Sequence, residues 1–77
     1  MQIHLKLYSI LREKLPPDAK GRAVIDLDEG ATLEDLLEKL KIHSRVVISV
    51  NNKHETNQSR LLKNGDQVKI FSSISGG

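Results

Sequence analysis

The chain contains no cysteine and no tryptophan, and its 77 residues include one tyrosine and one phenylalanine. Without cysteine there is no disulfide frame, no thiolate metal site and no thiol nucleophile. So few aromatic rings give no platform on which nucleobases stack. Charge of one sign is scarce too: 12 Lys and Arg against 10 Asp and Glu leave a net +2, with no long run of like charges. The pI near 9.1 is a weak pull toward anionic partners, without the footprint of nucleic-acid binding. No apolar run approaches the roughly 20 residues of a membrane span. The opening MQIHLKLYS alternates where a signal peptide carries an apolar block. His4, His43 and His54 lack metal-ligand spacing, and Asp26, Asp28 and Glu29 lack the ligand pattern of a calcium loop. No glycine-rich phosphate loop is present to bind a nucleotide. These absences fit a soluble, cytoplasmic protein that touches neither membrane nor nucleic acid. A domain this short buries only about 60% of the surface its unfolded chain exposes. Most apolar side chains are therefore needed inside, and little is left for a deep catalytic cavity.

What is present reads as one small domain. Ile3, Leu5 and Leu7 alternate with His4, Lys6 and Tyr8, which predicts a half-buried strand over Gln2–Tyr8. Ser9 is placed to cap a short helix through Leu15, with Ile10, Leu11 and Leu15 on its apolar side and Pro16-Pro17 ending it. After a polar turn over Asp18–Gly21, Arg22–Leu27 reads as a second strand, antiparallel to the first, with Ala23, Ile25 and Leu27 on one face. Thr32 and Asp35 match the acidic form of a capping box. Leu33, Leu36, Leu37 and Leu40 then form the apolar stripe of a helix over Thr32–Lys41, read as core packing. Arg45–Val50 is a β-branched strand expected near the centre of the sheet. Asn51-Asn52 signals a turn, and Lys53–Ser59 holds at most a short edge strand. Leu61-Leu62 calls for burial. Asn64-Gly65-Asp66 is a tight turn, which Asp66 is expected to hold through bonds to backbone amides. Val68, Ile70 and Phe71 make the last strand. A right-handed crossover through the main helix is expected to put the third strand parallel to the first or to a strand beside it. The sum is an α+β domain, a mixed four- to five-stranded sheet with one main helix on one face, which is the arrangement of the ubiquitin-like β-grasp fold. Residues 1–71 form the domain and residues 72–77 a flexible tail.

That tail closes on Gly76-Gly77. A free Gly77 carboxylate is anionic at neutral pH and can attack an electrophilic phosphorus. Two glycines let a chain lie extended in a narrow channel, because nothing projects from either Cα. Ile74 is the apolar anchor of the tail. Such a tail is either a frayed end or a substrate tip delivered into another protein's active site. With Val68 and Ile70 facing the helix, Lys69 and Phe71 face outward, and Phe71 either docks a partner or caps the edge of the core. Val47 is out of phase with Val46, Ile48 and Val50. Val47, Phe71 and Ile74 thus make a candidate partner patch rimmed by Lys and Arg.

The run NGDQVKIF followed by SSISGG, with SVNNK upstream, resembles the MoaD/ThiS family of β-grasp sulfur carrier proteins. Gly65-Asp66 is similar to the family's Gly-Asp turn, Gln67–Phe71 to its last strand, Gly76-Gly77 to its tail and Val50-Asn51 to its strand-to-turn element. The order of elements covers the whole chain, and the specific motif occupies residues 64–77. The segment LYSILREKLP resembles the extra short helix of the molybdopterin synthase small subunit, which favours that branch over the thiamine carrier. The resemblance implies that Gly77 is adenylated with ATP by a partner akin to the ubiquitin-activating enzymes. A sulfur donor then displaces AMP to leave a Gly77 thiocarboxylate. Gly76, Ile74, Phe71 and Val47 would meet the partners, and the molybdopterin synthase large subunit would take the tail and pass its sulfur to a pterin precursor. The chain itself would bind no cofactor, ATP being used by the activating partner. It would be a cosubstrate, or the non-catalytic subunit of a synthase, with no catalysis of its own. The alternatives are a carrier serving thiazole synthase in thiamine synthesis, a ubiquitin-like modifier conjugated through Gly77, and a binding module with an inert tail.

Overall fold

The computed structural model describes residues 1–72. Ile74, Gly76 and Gly77 lie outside the described residues. Strands β1 (Gln2–Leu7), β2 (Arg22–Asp26), β3 (Val46–Val50), β4 (Lys53–Glu55) and β5 (Gln67–Ser72) form one five-stranded sheet in the order β2-β1-β5-β3-β4, and helix α1 (Leu33–Leu40) connects β2 to β3. The alternation in β1 does what period two requires: Ile3, Leu5 and Leu7 are buried. They meet Val68 and Ile70 of β5, Ile48 and Val50 of β3, and Leu33, Leu36 and Leu37 of α1 in one core cluster, with Leu40 partly buried at its edge. Taking each of these side chains out of water is worth about 1.5–3 kcal/mol.

Local chemistry sets the ends of α1. The Thr32 hydroxyl accepts from the Asp35 amide at 3.3 Å and the Asp35 carboxylate accepts from the Thr32 amide at 2.9 Å, which completes the capping box. Glu34 and Asp35 sit at the positive end of the helix. At the other end Lys41 turns left-handed (φ 58°) and the Ile42 amide donates to the Leu37 carbonyl at 3.0 Å.

β1 and β2 are antiparallel, as expected, but β1 and β5 are the parallel pair. β3 is antiparallel to β5 and so also to β1, so of the two expected placements the second holds. It runs in the direction of β2, the strand beside β1. The α1 crossover thus links two parallel strands that are not neighbours, and β5, last in sequence, enters between β1 and β3 as the central strand. β4 is the short polar edge strand the composition implied.

Ser9 does not cap a helix. It adopts φ 54° and opens a 3-10 segment, Ser9–Lys14, whose cap position is Tyr8 with no side-chain bond. At three residues per turn only every third side chain returns to one side. Leu11 is therefore buried while Ile10 is 66% exposed. A second 3-10 turn, Pro17–Ala19, leads to Gly21. There a left-handed φ of 79° lets the backbone approach Leu7 so closely that a Cβ would lie 2.6 Å from the Leu7 carbonyl oxygen. Leu62 is buried but Leu61 is 61% exposed. The segment pairs with the start of α1 through a bridge between Thr32 and Leu61, and extended backbone turns consecutive side chains to opposite sides.

Candidate functional site

Because β5 is the central strand, whatever fixes it fixes the position of Ser72, from which the chain continues toward Gly77. Its start is held by a polar clamp. The tight turn closes through the Asp66 amide donating to the Lys63 carbonyl at 3.0 Å, with Gly65 at φ 87°. One Asp66 carboxylate oxygen accepts from the Lys63 amide at 2.8 Å, the other from the Asn51 side-chain amide at 3.0 Å. The Asn51 side-chain oxygen accepts from the Gln67 amide at 2.9 Å, and the Asn64 side-chain oxygen accepts from the Gln2 amide at 2.7 Å. Asn51 and Asn52 both have positive φ (52° and 69°), as a tight hairpin turn between β3 and β4 requires. The two sequence motifs around Asn51 and around Gly65-Asp66 are thus one device that joins the ends of β1, β3 and β5. Asp66, 7% exposed, holds the turn as expected and also grips Asn51, which sequence reasoning did not foresee.

The other end of β5 carries the candidate partner residues. Phe71 lies opposite Val47 in the β5–β3 register. It points away from the core and is half-buried, because its ring stacks on Tyr8 with centroids 4.2 Å apart and planes 14° from parallel. The Lys6 ammonium sits 4.9 Å from the Tyr8 ring centroid. Val47 is 39% exposed. Tyr8, Phe71 and Val47 therefore form an apolar row on the sheet face that α1 leaves open, beside Ser72. Tyr8 was not singled out as a site residue. Its outward phase in β1 was readable, but its place beside Phe71 depends on the parallel β1–β5 pairing, fixed here by the Tyr8 amide donating to the Ile70 carbonyl at 3.2 Å.

Among the described residues the shifted titration lies elsewhere. The Arg60 guanidinium, 2.8 Å from the Glu55 carboxylate, holds that carboxyl below its ordinary range, helped by the Asn57 amide. Among the described residues no three His, Cys, Asp or Glu side chains gather to hold a metal ion, and no helix is long and apolar enough to cross a membrane. What the described side chains offer is a hydrogen-bonded anchor for β5 and a half-exposed apolar row near Ser72.

The mixed sheet crossed by one helix defines a ubiquitin-like β-grasp protein. The family model described as ThiS family matches residues 5–77, and the chain belongs to that family, the ubiquitin-like sulfur carriers of MoaD/ThiS type. No curated protein matches it by sequence. Among solved structures it is similar to SAMP1 from Haloferax volcanii, with a TM-score of 0.75 at 18% identity over 100% of both chains. A Pyrococcus furiosus protein provisionally assigned as molybdopterin converting factor subunit 1 gives a TM-score of 0.76 at 24% identity, over 96% of this chain and 99% of that one. A complex of subunits 1 and 2 of the molybdopterin-converting factor from Helicobacter pylori gives 0.68 at 18% identity over 100% of both chains.

Proposed function

We propose that this carrier holds sulfur as a thiocarboxylate on Gly77 and delivers it in molybdopterin synthesis. The observation that carries the reading is the family match, which runs through the Gly76-Gly77 end of the chain. The chemistry starts when a Gly77 carboxylate oxygen attacks the α-phosphorus of ATP and expels pyrophosphate. The acyl-adenylate turns a poor leaving oxygen into AMP. Sulfide attacks the acyl carbon, AMP leaves, a proton is lost to solvent, and the thiocarboxylate remains. ATP is bound by the adenylyltransferase partner. A molybdopterin synthase large subunit then takes the tail, guided by Phe71, Val47, Ile74 and Gly76. The segment Ser9–Lys14, in the place of the extra helix of the molybdopterin branch, supports the choice of pathway. So does the likeness to the Helicobacter subunit, solved together with a second subunit.

Deleting Gly77 tests the proposal. Sulfur transfer to the pterin precursor by the reconstituted synthase is lost while the fold and melting temperature are unchanged. Full activity after the deletion contradicts the reading. A ubiquitin-like modifier role, suggested by the likeness to the Haloferax volcanii small archaeal modifier protein 1, shares the activation step. Discrete protein conjugates of this chain in native lysate support that role, and a single free band opposes it.

A further inference from the structure

Beside the aromatic row, the open face of the sheet carries a row of cations. Register places Arg22 of β2 opposite Lys6 of β1, Lys6 beside Lys69 of β5, Lys69 opposite Ser49 of β3, and Ser49 opposite His54 of β4. With neighbouring strands about 4.8 Å apart, the three cations Arg22, Lys6 and Lys69 span about 10 Å. Arg22, Lys6 and Lys69 occupy adjacent strands, although like charges directly opposite one another weaken a sheet. Among the described residues no carboxylate comes within ion-pairing distance of any of the three. The acid on this face, Asp26, is at the far end of β2 opposite Gln2. A shallow depression of about 470 Å³ follows the row, lined by His4, Lys6, Arg22, Val24, Gln67 and Lys69 among others. The chain as a whole nets only +2, so this is a local concentration of charge.

We propose that the Arg22–Lys6–Lys69 row is the electrostatic half of a docking surface whose occupant is a row of carboxylates on the enzyme that adenylates Gly77. The inference rests on the carrier reading above. An apolar centre at Tyr8, Phe71 and Val47 flanked by charge is the anatomy of a protein interface. A cationic stripe speeds encounter with an acidic partner and fixes its register. It lies next to the strand end from which the chain leads to Gly77, so a partner seated on it has its active site within reach of the tail. A nucleic acid fits less well. The two rings stack on each other and the Lys6 ammonium sits by the Tyr8 ring, so two of the four ring faces that bases would use are taken by the stack itself.

The test is the ATP-dependent adenylation of the full chain by the activating enzyme of the same organism. KM for the carrier is measured against salt for wild type, Lys6→Glu, Lys69→Glu and the milder Lys6→Gln and Lys69→Gln, each checked for an intact fold by circular dichroism. The expected result is a KM raised about tenfold or more by each reversal and less by each neutralisation, with kcat within about twofold. Wild-type KM should rise steeply with salt, and the variants' far less. Unchanged KM in the reversals, or a salt-independent wild-type KM, overturns the proposal while leaving the carrier reading standing. Loss of binding to a uridine oligonucleotide in the same variants, with adenylation untouched, assigns the row to RNA and also overturns it. If the wild-type chain is not adenylated at all, the carrier reading itself fails and this inference with it.

Discussion

Replacing Asp66 by alanine removes the acceptor for the Lys63 amide and for the Asn51 side chain together. Each donor left unpaired in a partly buried site costs about 1–3 kcal/mol. Both bonds are only partly buried, so the sum belongs at the lower end, about 2–4 kcal/mol. A domain of this size has a total stability of about 4–12 kcal/mol at roughly 0.05–0.15 kcal/mol per residue. The variant thus loses a large fraction of its stability, a fall in melting temperature on the order of 10–25 °C. Urea denaturation of wild type, Asp66→Ala, Asn51→Ala and the double variant measures it. Because the two side chains bond to each other, the double variant should be less destabilised than the sum of the singles, with a coupling of about 1 kcal/mol or more. The m-value should not change. Below its melting temperature the Asp66→Ala protein should be adenylated at the wild-type kcat, since Asp66 holds a strand and performs no chemistry. A loss under about 0.5 kcal/mol, or strict additivity with Asn51→Ala, refutes the clamp.

Other consequences follow from the same structure. Leu36 is fully buried on α1, so Leu36→Ala should cost about 2–5 kcal/mol in denaturant unfolding; a cost under about 1 kcal/mol contradicts its place in the core. Gly21→Ala forces a Cβ to 2.6 Å from the Leu7 carbonyl at a φ of 79°. It should destabilise by more than about 1 kcal/mol, whereas a stabilised variant would mean the β1–β2 connection is looser than described. Removing the Arg60 guanidinium with Arg60→Ala should bring the Glu55 titration, followed by NMR, back up toward its ordinary 4.5. A carboxyl whose folded pKa is depressed stabilises the fold above its unfolded pKa and loses that contribution as pH falls through the folded value. Wild type should therefore lose stability over that acidic window more steeply than Arg60→Ala, and parallel pH profiles contradict the pairing.

The parts of the fold that were legible in the sequence are those governed by near neighbours. The capping box of Thr32 and Asp35, the leucine stripe of α1 and the alternation of β1 need only residues a turn or two apart. The outward phase of Phe71 and Val47 was readable for the same reason. Strand neighbours were not. The β1–β5 pairing joins residues more than sixty positions apart, as in Leu7 with Ile70, and local pattern carries no information about it. Ser9, Ile10 and Leu61 were misplaced because a 3-10 segment and an isolated bridge rotate side chains differently from a helix or a buried pair. The cationic row was invisible for the reason Tyr8 was: Arg22, Lys6 and Lys69 are ordinary surface residues until the register sets them side by side.

The central claim is that Gly77 carries sulfur. Its most direct test is the intact mass of the chain after incubation with ATP, the activating enzyme of the same organism and sulfide, under non-oxidising conditions. The account predicts a species heavier by one oxygen-to-sulfur exchange, mapped by fragmentation to Gly77 and absent when ATP is omitted. A chain that keeps its unmodified mass under those conditions contradicts it.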